Sequence, residues 1–234
     1  MKKHIIAIGG GGFGRNKSSN LIEKYLLNLT GKDCQKICFL PTATGDNDNY
    51  IVRFYSVFTQ FNCIPTHIEF FKRTADINNH IMKQDVVFVG GGNTKSMLAI
   101  WNDWGMSKLL YDAYHKGVIM SGVSAGAICW FTSGITDSWD NELRILPCLD
   151  FIRDTCCPHY DEEPSRIPYV KKLLLEKKVT NCISIEGGAA IHFIDGKPFK
   201  NVSFYNNKNT YNVYLDNNDI VEKPFDKIQL KMTK

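Results

Sequence analysis

Short apolar segments alternate with amphipathic segments along the first three-quarters of the chain. Strands are predicted at the apolar segments 4–8, 37–41, 67–70, 85–89, 118–121 and 182–185, which are rich in Ile, Val and Phe. Because these segments lack the polar alternation of half-exposed strands, they predict a sheet that is buried on both faces, as parallel sheets are.

Helices are predicted between these strands. They cover residues 18–29, 49–61, 94–101, 107–116, 125–131 and 164–177. In the first of them, the apolar residues follow the spacing of one helix face: Leu21, Ile22, Tyr25, Leu26 and Leu29. The alternation of strands and helices predicts an α/β fold, a three-layer sandwich around a mostly parallel sheet.

The last quarter of the chain has a different pattern. Asn and Asp accumulate at residues 206–209 and 216–219, where they separate short segments that carry Tyr and Val. These clusters predict tight turns between antiparallel C-terminal strands that close one edge of the sheet. No linker or repeat interrupts the chain, so residues 1–234 are predicted to form a single domain.

The composition argues against nucleic-acid and membrane partners. The net charge is only +4, and no run of five basic residues occurs. The apolar segment at residues 4–8 is too short for a signal peptide, and no segment approaches the roughly 18 apolar residues of a transmembrane helix. Eight cysteines without a Cys-x-x-Cys pair indicate reduced thiols. We therefore expect a soluble, cytoplasmic protein that needs no metal and no cofactor.

The most informative motif is Gly-Val-Ser-Ala-Gly at residues 122–126, between a predicted strand and a predicted helix. A serine flanked by glycines at a strand-to-helix turn is typical of a nucleophile elbow, because a Cβ on either neighbour would clash. The sequence therefore predicts Ser124 as a nucleophile. The first backbone N–H of the following helix, that of Ala125, points toward the reacting carbonyl.

Two glycine-rich loops follow predicted strands and are expected at the same cleft, at the carboxyl ends of the strands. In Gly-Gly-Gly-Asn at residues 90–93, the N–H of Gly91 or Gly92 could complete an oxyanion hole with Ala125. The alternative is an ordinary turn capped by Asn93. The loop at residues 9–14 fits a dinucleotide fingerprint only loosely, because the next strand ends without the acidic residue that binds a ribose.

A serine nucleophile needs a general base, and His159 is the histidine placed best for that role. It follows a strand-like segment in Cys-Pro-His-Tyr at residues 157–160, where a proline restricts its approach. The other histidines lie in or near elements that are distant from the predicted cleft: His4, His67, His80, His115 and His192. Taken alone, His159 is also compatible with a structural role.

These motifs together resemble peptidase family S51, which holds dipeptidase E (aspartyl dipeptidase) and cyanophycinase. The shared segments are residues 88–94, 122–126, 158–160 and 185–187. The resemblance implies a flavodoxin-like fold related to class I glutamine amidotransferases. It also implies Ser124 as nucleophile and His159 as base. The acid that orients His159 would be Glu186 or, alternatively, Asp137.

Substrate recognition is the least determined part of this resemblance. It implies that Arg166 grips an acidic side chain of the substrate, whereas the other interpretation of Arg166 is a solvated charge in the first turn of a helix. Asn93 is the second candidate substrate-binding residue. We expect a serine peptidase for small peptides, with an N-terminal acidic residue as a candidate preference, present as a monomer or homodimer. The alternatives are a non-peptide acyl hydrolase and a catalytically silent binding protein on the same fold.

Overall fold

The computed structural model describes residues 2–14, 20–73, 76–140 and 142–231. In these ranges the strands are β1 (His4–Ile8), β2 (Gln35–Leu40), β3 (Cys63–His67), β4 (Val86–Val89), β5 (Ile119–Val123), β6 (Phe131–Thr136), β7 (Arg144–Pro147), β8 (Ile152–Cys157), β9 (Asn181–Ile185), β10 (Ala189–Ile194), β11 (Lys197–Ser203), β12 (Thr210–Asp216), β13 (Asp219–Pro224) and β14 (Lys227–Gln229). The helices are α1 (Leu21–Asn28), α2 (Asp48–Phe58), α3 (Ile77–Ile81), α4 (Thr94–Asp103), α5 (Met106–Lys116), α6 (Ala125–Ile128) and α7 (Arg166–Leu175). The α/β class predicted from the sequence is confirmed.

The larger sheet has eight strands in the order β14-β11-β10-β1-β5-β4-β2-β3. Five neighbouring strands, β1, β5, β4, β2 and β3, run parallel. The strand β10 pairs antiparallel with β1, and β11 pairs antiparallel with β10. The carboxyl ends of β1, β4 and β5 therefore meet at one edge of the sheet, where the three glycine-rich motifs follow them.

Both faces of this sheet are buried, as the unalternated strands predict. In β1, Ile5 and Ala7 contribute to one apolar cluster, whereas Ile6 and Ile8 contribute to the cluster on the opposite face. Side chains of α1 and α2 belong to the second cluster, and those of α4 and α5 belong to the first. The parallel sheet thus lies between two helical layers, which fixes the positions of its strand ends.

A second sheet was not predicted. It has six strands in the order β13-β12-β9-β8-β6-β7, and the predicted strand at residues 182–185 belongs to it as part of β9. The antiparallel C-terminal strands are divided between the two sheets, since β10 and β11 extend the first and β12 and β13 extend the second. The second sheet and α7 share a separate apolar cluster that includes Tyr160 and Val170.

Two predicted elements differ from the structure. The strand predicted at residues 67–70 is instead β3, which ends at His67. Its apolar continuation lies outside the sheet, and there the carboxylate of Asp46 accepts the backbone N–H groups of Phe70 and Phe71. The helix predicted at residues 125–131 ends at Ile128, and Phe131 already belongs to β6. Residues 18–19, at the start of the first predicted helix, lie outside the described residues.

The described residues contain no candidate for a membrane-spanning helix. None of the helices there combines the length and the apolar character that are needed to cross a bilayer.

A buried histidine in β10 makes the stability of the fold sensitive to acid. His192 is 1% exposed, and its ring nitrogens contact His4 Nδ1 at 2.9 Å and Tyr25 Oη at 2.7 Å. Burial lowers the pKa of His192 to about 4, and the neighbouring His4 acts in the same direction. As the pH falls below about 6.5, the ordinary pKa of a histidine, the unfolded chain therefore binds a proton at His192. The folded chain binds that proton only when the pH falls to about 4.

As the pH is lowered from roughly 6.5 to 4, we expect the free energy of unfolding to fall by up to about 1.4 kcal/mol per pH unit because of His192 alone. Urea unfolding at a series of pH values measures this slope. His192→Gln should flatten the slope, whereas His115→Gln, which changes an exposed histidine on α5, should leave it unchanged. An equal slope in the His192→Gln variant would contradict the prediction.

Candidate active site

Ser124 occupies a strained turn between β5 and α6. Its backbone angles are φ 55° and ψ −110°, a conformation that residues with a side chain rarely adopt. The turn is tight enough that a Cβ at Gly122 would lie 2.3 Å from the carbonyl oxygen of Gly126. The local geometry of residues 122–126 is therefore that of an elbow that projects the serine beyond the carboxyl end of β5.

His159 is placed beside this turn by the end of β1. The backbone N–H of Ser124 donates to the carbonyl of Ile8 at 3.0 Å, and that of His159 donates to the carbonyl of Gly9 at 3.2 Å. Because these carbonyls belong to consecutive residues, the backbones of Ser124 and His159 are both anchored at the carboxyl end of β1, although they come from distant parts of the sequence. His159 also has a positive φ of 51°, in the left-handed region that residues with a side chain rarely adopt.

The imidazole of His159 is paired with Glu162. Its Nδ1 lies 2.7 Å from Glu162 Oε2, and the two side chains are 22% and 29% exposed. The turn that joins them is closed by a hydrogen bond from the N–H of Glu162 to the carbonyl of His159, at 3.1 Å. A carboxylate can only accept here, so Nδ1 carries the proton and Nε2 is left as the basic nitrogen.

Two glycines make room for the carboxylate of Glu162. A Cβ at Gly10 would lie 2.4 Å from Glu162 Oε2 and 2.8 Å from His159 Nδ1. A Cβ at Gly187 would lie 2.0 Å from Glu162 Cδ. The glycine-rich loop after β1 thus lets the backbone approach this acid and the histidine closely, which gives the loop a role other than nucleotide binding.

A second acid fixes the position of Gly187. Asp161 Oδ1 accepts the N–H of Gly187 at 2.8 Å, and Lys208 forms an ion pair with Asp161 Oδ2. Burial raises the pKa of Asp161, but the Lys208 ammonium and the N–H of Gly187 outweigh it and hold this pKa below the usual value. Asp161 is therefore ionised and ties the 187 turn to the loop that carries Glu162.

The two acids expected to orient His159 have other neighbours in the structure. Glu186 Oε2 accepts the backbone N–H of Asn209 at 2.7 Å, and its Oε1 accepts from Tyr211 Oη at 3.4 Å. Burial lowers the pKa of the Arg166 guanidinium, but neighbouring groups that include Glu163 and, to a smaller extent, Asp137 outweigh it and raise this pKa above the usual value. The carboxylate in contact with His159 is that of Glu162.

Glu162 was missed although a local signal for it exists. The chain has three consecutive acids at residues 161–163, directly after His-Tyr. A carboxylate three residues after a histidine returns to the imidazole when a turn closes between them, as the hydrogen bond between the Glu162 N–H and the His159 carbonyl shows. The two acids predicted from the sequence were Glu186, at a strand end, and Asp137, in a loop-like segment, and neither belongs to this turn.

The three expected oxyanion donors differ in whether their backbone N–H groups already have an acceptor. Within the described ranges, the N–H groups of Gly92 and Ala125 have no intramolecular hydrogen-bond partner. Gly91 lies directly against the serine, because a Cβ on it would be 3.9 Å from Ser124 Oγ. Its own N–H donates to Tyr50 Oη at 3.4 Å. Two of the three expected oxyanion donors are therefore free, and the third already has an acceptor.

The two candidate substrate-binding residues have structural partners. Asn93 caps α4 by accepting from Ser96 N at 2.9 Å, and its amide donates to the carbonyl of Ser138 at 2.8 Å. Arg166 is 3% exposed and pairs with Glu163 at 2.7 Å. Its Nη1 also donates to the carbonyl of Ile135 at 2.9 Å. Neither side chain is free to bind a ligand in this arrangement.

Comparison with known proteins gives concordant matches over nearly the whole chain. The model of Peptidase family S51 matches residues 5–200. An uncharacterized peptidase of Bacillus subtilis (strain 168), YgaJ, is 41% identical over 223 residues, which are 95% of this chain and 96% of the relative. The crystal structure of a peptidase from an acI-B1 Actinobacterium superposes with a TM-score of 0.69 at 14% identity and covers 97% of this chain and 95% of that one, which is a likeness of fold alone.

Proposed function

Because the chain belongs to Peptidase family S51, we propose that it is a serine-type peptidase that hydrolyses small peptides through Ser124, His159 and Glu162. The observation that carries the proposal is the attachment of Ser124 and His159 to consecutive carbonyls at the end of β1. One residue supplies a hydroxyl on a strained elbow, and the other supplies an imidazole whose Nδ1 is held by a carboxylate. These are the parts of a nucleophile activated by an oriented base.

In the proposed reaction, Nε2 of His159 takes the proton of Ser124 as Oγ attacks the scissile carbonyl. The developing oxyanion accepts hydrogen bonds from the free N–H groups at Gly92 and Ala125. The imidazolium, stabilised by Glu162, returns the proton to the leaving amine. Water then attacks the acyl-enzyme by the same steps in reverse, which releases the acid and regenerates Ser124.

The position of Arg166 gives no support to a preference for an N-terminal acidic residue. That expectation depends on a guanidinium that clamps a substrate carboxylate, and Arg166 is buried and already paired with Glu163. A panel of dipeptides that varies the N-terminal residue and the corresponding aminoacyl esters would define the acyl group and separate peptidase from esterase activity.

Labelling with a fluorophosphonate probe tests the proposal directly. We expect the adduct on Ser124 by peptide mass spectrometry, with no labelling in Ser124→Ala and much slower labelling in His159→Ala. Ser133→Ala is a suitable control, because this serine bonds to Thr155 in the second sheet and should not affect the reaction. A folded protein that takes no label would instead support the binding-protein alternative.

A further inference from the structure

Tyr50, on the first turn of α2, is held rigidly at the edge of the site. Its ring stacks on Phe13 at a centroid distance of 5.3 Å and meets the ring of Phe39 edge-on at 5.0 Å. A Cβ at Gly90 would lie 2.8 Å from Tyr50 Cε1, so the ring also presses against the loop after β4. These contacts come from three different strand-end segments and leave the ring little freedom.

The hydroxyl of Tyr50 has a proton to donate. Oη accepts the N–H of Gly91 at 3.4 Å, and among the described residues no acceptor takes the hydroxyl proton in return. Burial raises the pKa of Tyr50, although the hydrogen bond from Gly91 lowers it in part. The phenol is therefore protonated at neutral pH and available as a neutral donor.

Tyr50 and Ser124 lie on two sides of one residue. The N–H of Gly91 points to Tyr50 Oη, while the Cβ direction of Gly91 points to Ser124, where an added Cβ would be 3.3 Å from Ser124 Cβ. Gly91 therefore lies between Ser124 and the phenol, and both side chains contact it.

Resting on the serine-peptidase function proposed above, we propose that Tyr50 is a catalytic residue whose hydroxyl donates a hydrogen bond to the oxyanion of the tetrahedral intermediate. The N–H of Gly91, expected from the sequence to contact the oxyanion itself, instead acts through Tyr50 by holding Oη in place. The hydroxyl keeps its proton throughout, so the step transfers none and only stabilises charge. Phe13 then links the glycine-rich loop after β1 to catalysis, since its ring positions the phenol.

Tyr50→Phe tests this role, because it removes only the hydroxyl and preserves the packing of the ring. We expect kcat for a good peptide or ester substrate to fall about 10²-fold, the cost typical of one oxyanion donor, with KM changed by less than about threefold. A peptide boronic acid that forms a tetrahedral adduct on the serine should lose affinity by a similar factor. Tyr55→Phe is the matched control, since this tyrosine lies on the same helix and bonds to His67 instead.

The outcomes separate this inference from the proposed function. If Ser124 is labelled in the wild type but Tyr50→Phe keeps full kcat and full boronic acid affinity, Tyr50 only packs and the inference is overturned while the peptidase stands. An equal loss in Tyr55→Phe would likewise overturn it, because the effect would then come from α2 as a whole. If wild-type Ser124 takes no label, both proposals fall together.

Discussion

Glu162→Gln is expected to lower kcat/KM by about 10³- to 10⁴-fold, a loss of the size that an orienting carboxylate produces in a serine triad. The variant keeps the size of the side chain, but its amide can donate to Nδ1 and stabilise the tautomer whose Nε2 carries the proton and is no longer a base. The contact at 2.7 Å between His159 Nδ1 and Glu162 Oε2 is what makes this substitution so costly. Steady-state kinetics on the preferred dipeptide or ester measures the effect.

Glu186→Gln is the matched comparison for that experiment. Glu186 accepts hydrogen bonds from the N–H of Asn209 at Oε2 and from Tyr211 Oη at Oε1, and a glutamine can keep both contacts, since its amide oxygen can accept the N–H and its NH2 can donate to the tyrosine oxygen. We expect kcat/KM within about threefold of the wild type, because no interaction with His159 is lost. A large loss in Glu186→Gln together with a small one in Glu162→Gln would show that Glu186 orients the imidazole during turnover and that the pairing with Glu162 belongs only to the resting enzyme.

The parallel sheet could be predicted from the sequence because its strands are continuous apolar segments. The strand β1 was predicted with the bounds that the structure has, and β2, β4 and β5 within two residues at each end. The apolar pattern is strong there because both faces of the sheet are covered.

Outside β9, which was predicted as residues 182–185, the second sheet was not predicted as a sheet. The apolar residues of α6 continue directly into β6, so the periodicity of residues 125–131 is that of one longer helix. The structure shows a close tertiary contact between the two elements. A Cβ at Gly134 would lie 2.7 Å from Ile128 Cβ, so the backbone of β6 packs directly against the side chain of Ile128 on α6. That contact depends on the fold and is invisible in a window of the sequence.

In the candidate site, too, one part could be predicted from the sequence and another could not. The elbow at Ser124 is encoded within five residues, and its steric requirement for glycines could be read from the sequence alone. The choice of acid depends on which way three carboxylates turn. Glu186 turns toward the 209 loop, whereas Glu162 turns back to His159 between Gly10 and Gly187. Side-chain direction at a strand end is set by neighbours from other parts of the chain, and for that reason the sequence left Glu186 and Asp137 as competing candidates.

Gly10→Ala should lower activity strongly although it changes no functional group. The added Cβ would lie 2.4 Å from Glu162 Oε2 and 2.8 Å from His159 Nδ1, which forces one of these groups to move. Gly10 has no positive φ, so alanine fits its backbone and the fold should be retained. Since displacing a catalytic group by about 1 Å can cost about 10²-fold, we expect kcat/KM to fall by at least about that factor.

A double-mutant cycle shows whether this loss acts through the carboxylate. If the clash with Glu162 is the cause, Gly10→Ala should cost much less in a Glu162→Ala background, because the ring of His159 can shift into the space that the carboxylate leaves. Equal fractional losses in both backgrounds would mean that the alanine acts through the backbone of the loop after β1, where Gly10 accepts the N–H of Gly188 at 3.1 Å. The coupling energy therefore measures how far the glycine loop serves the pairing of His159 with Glu162, which neither single variant can do.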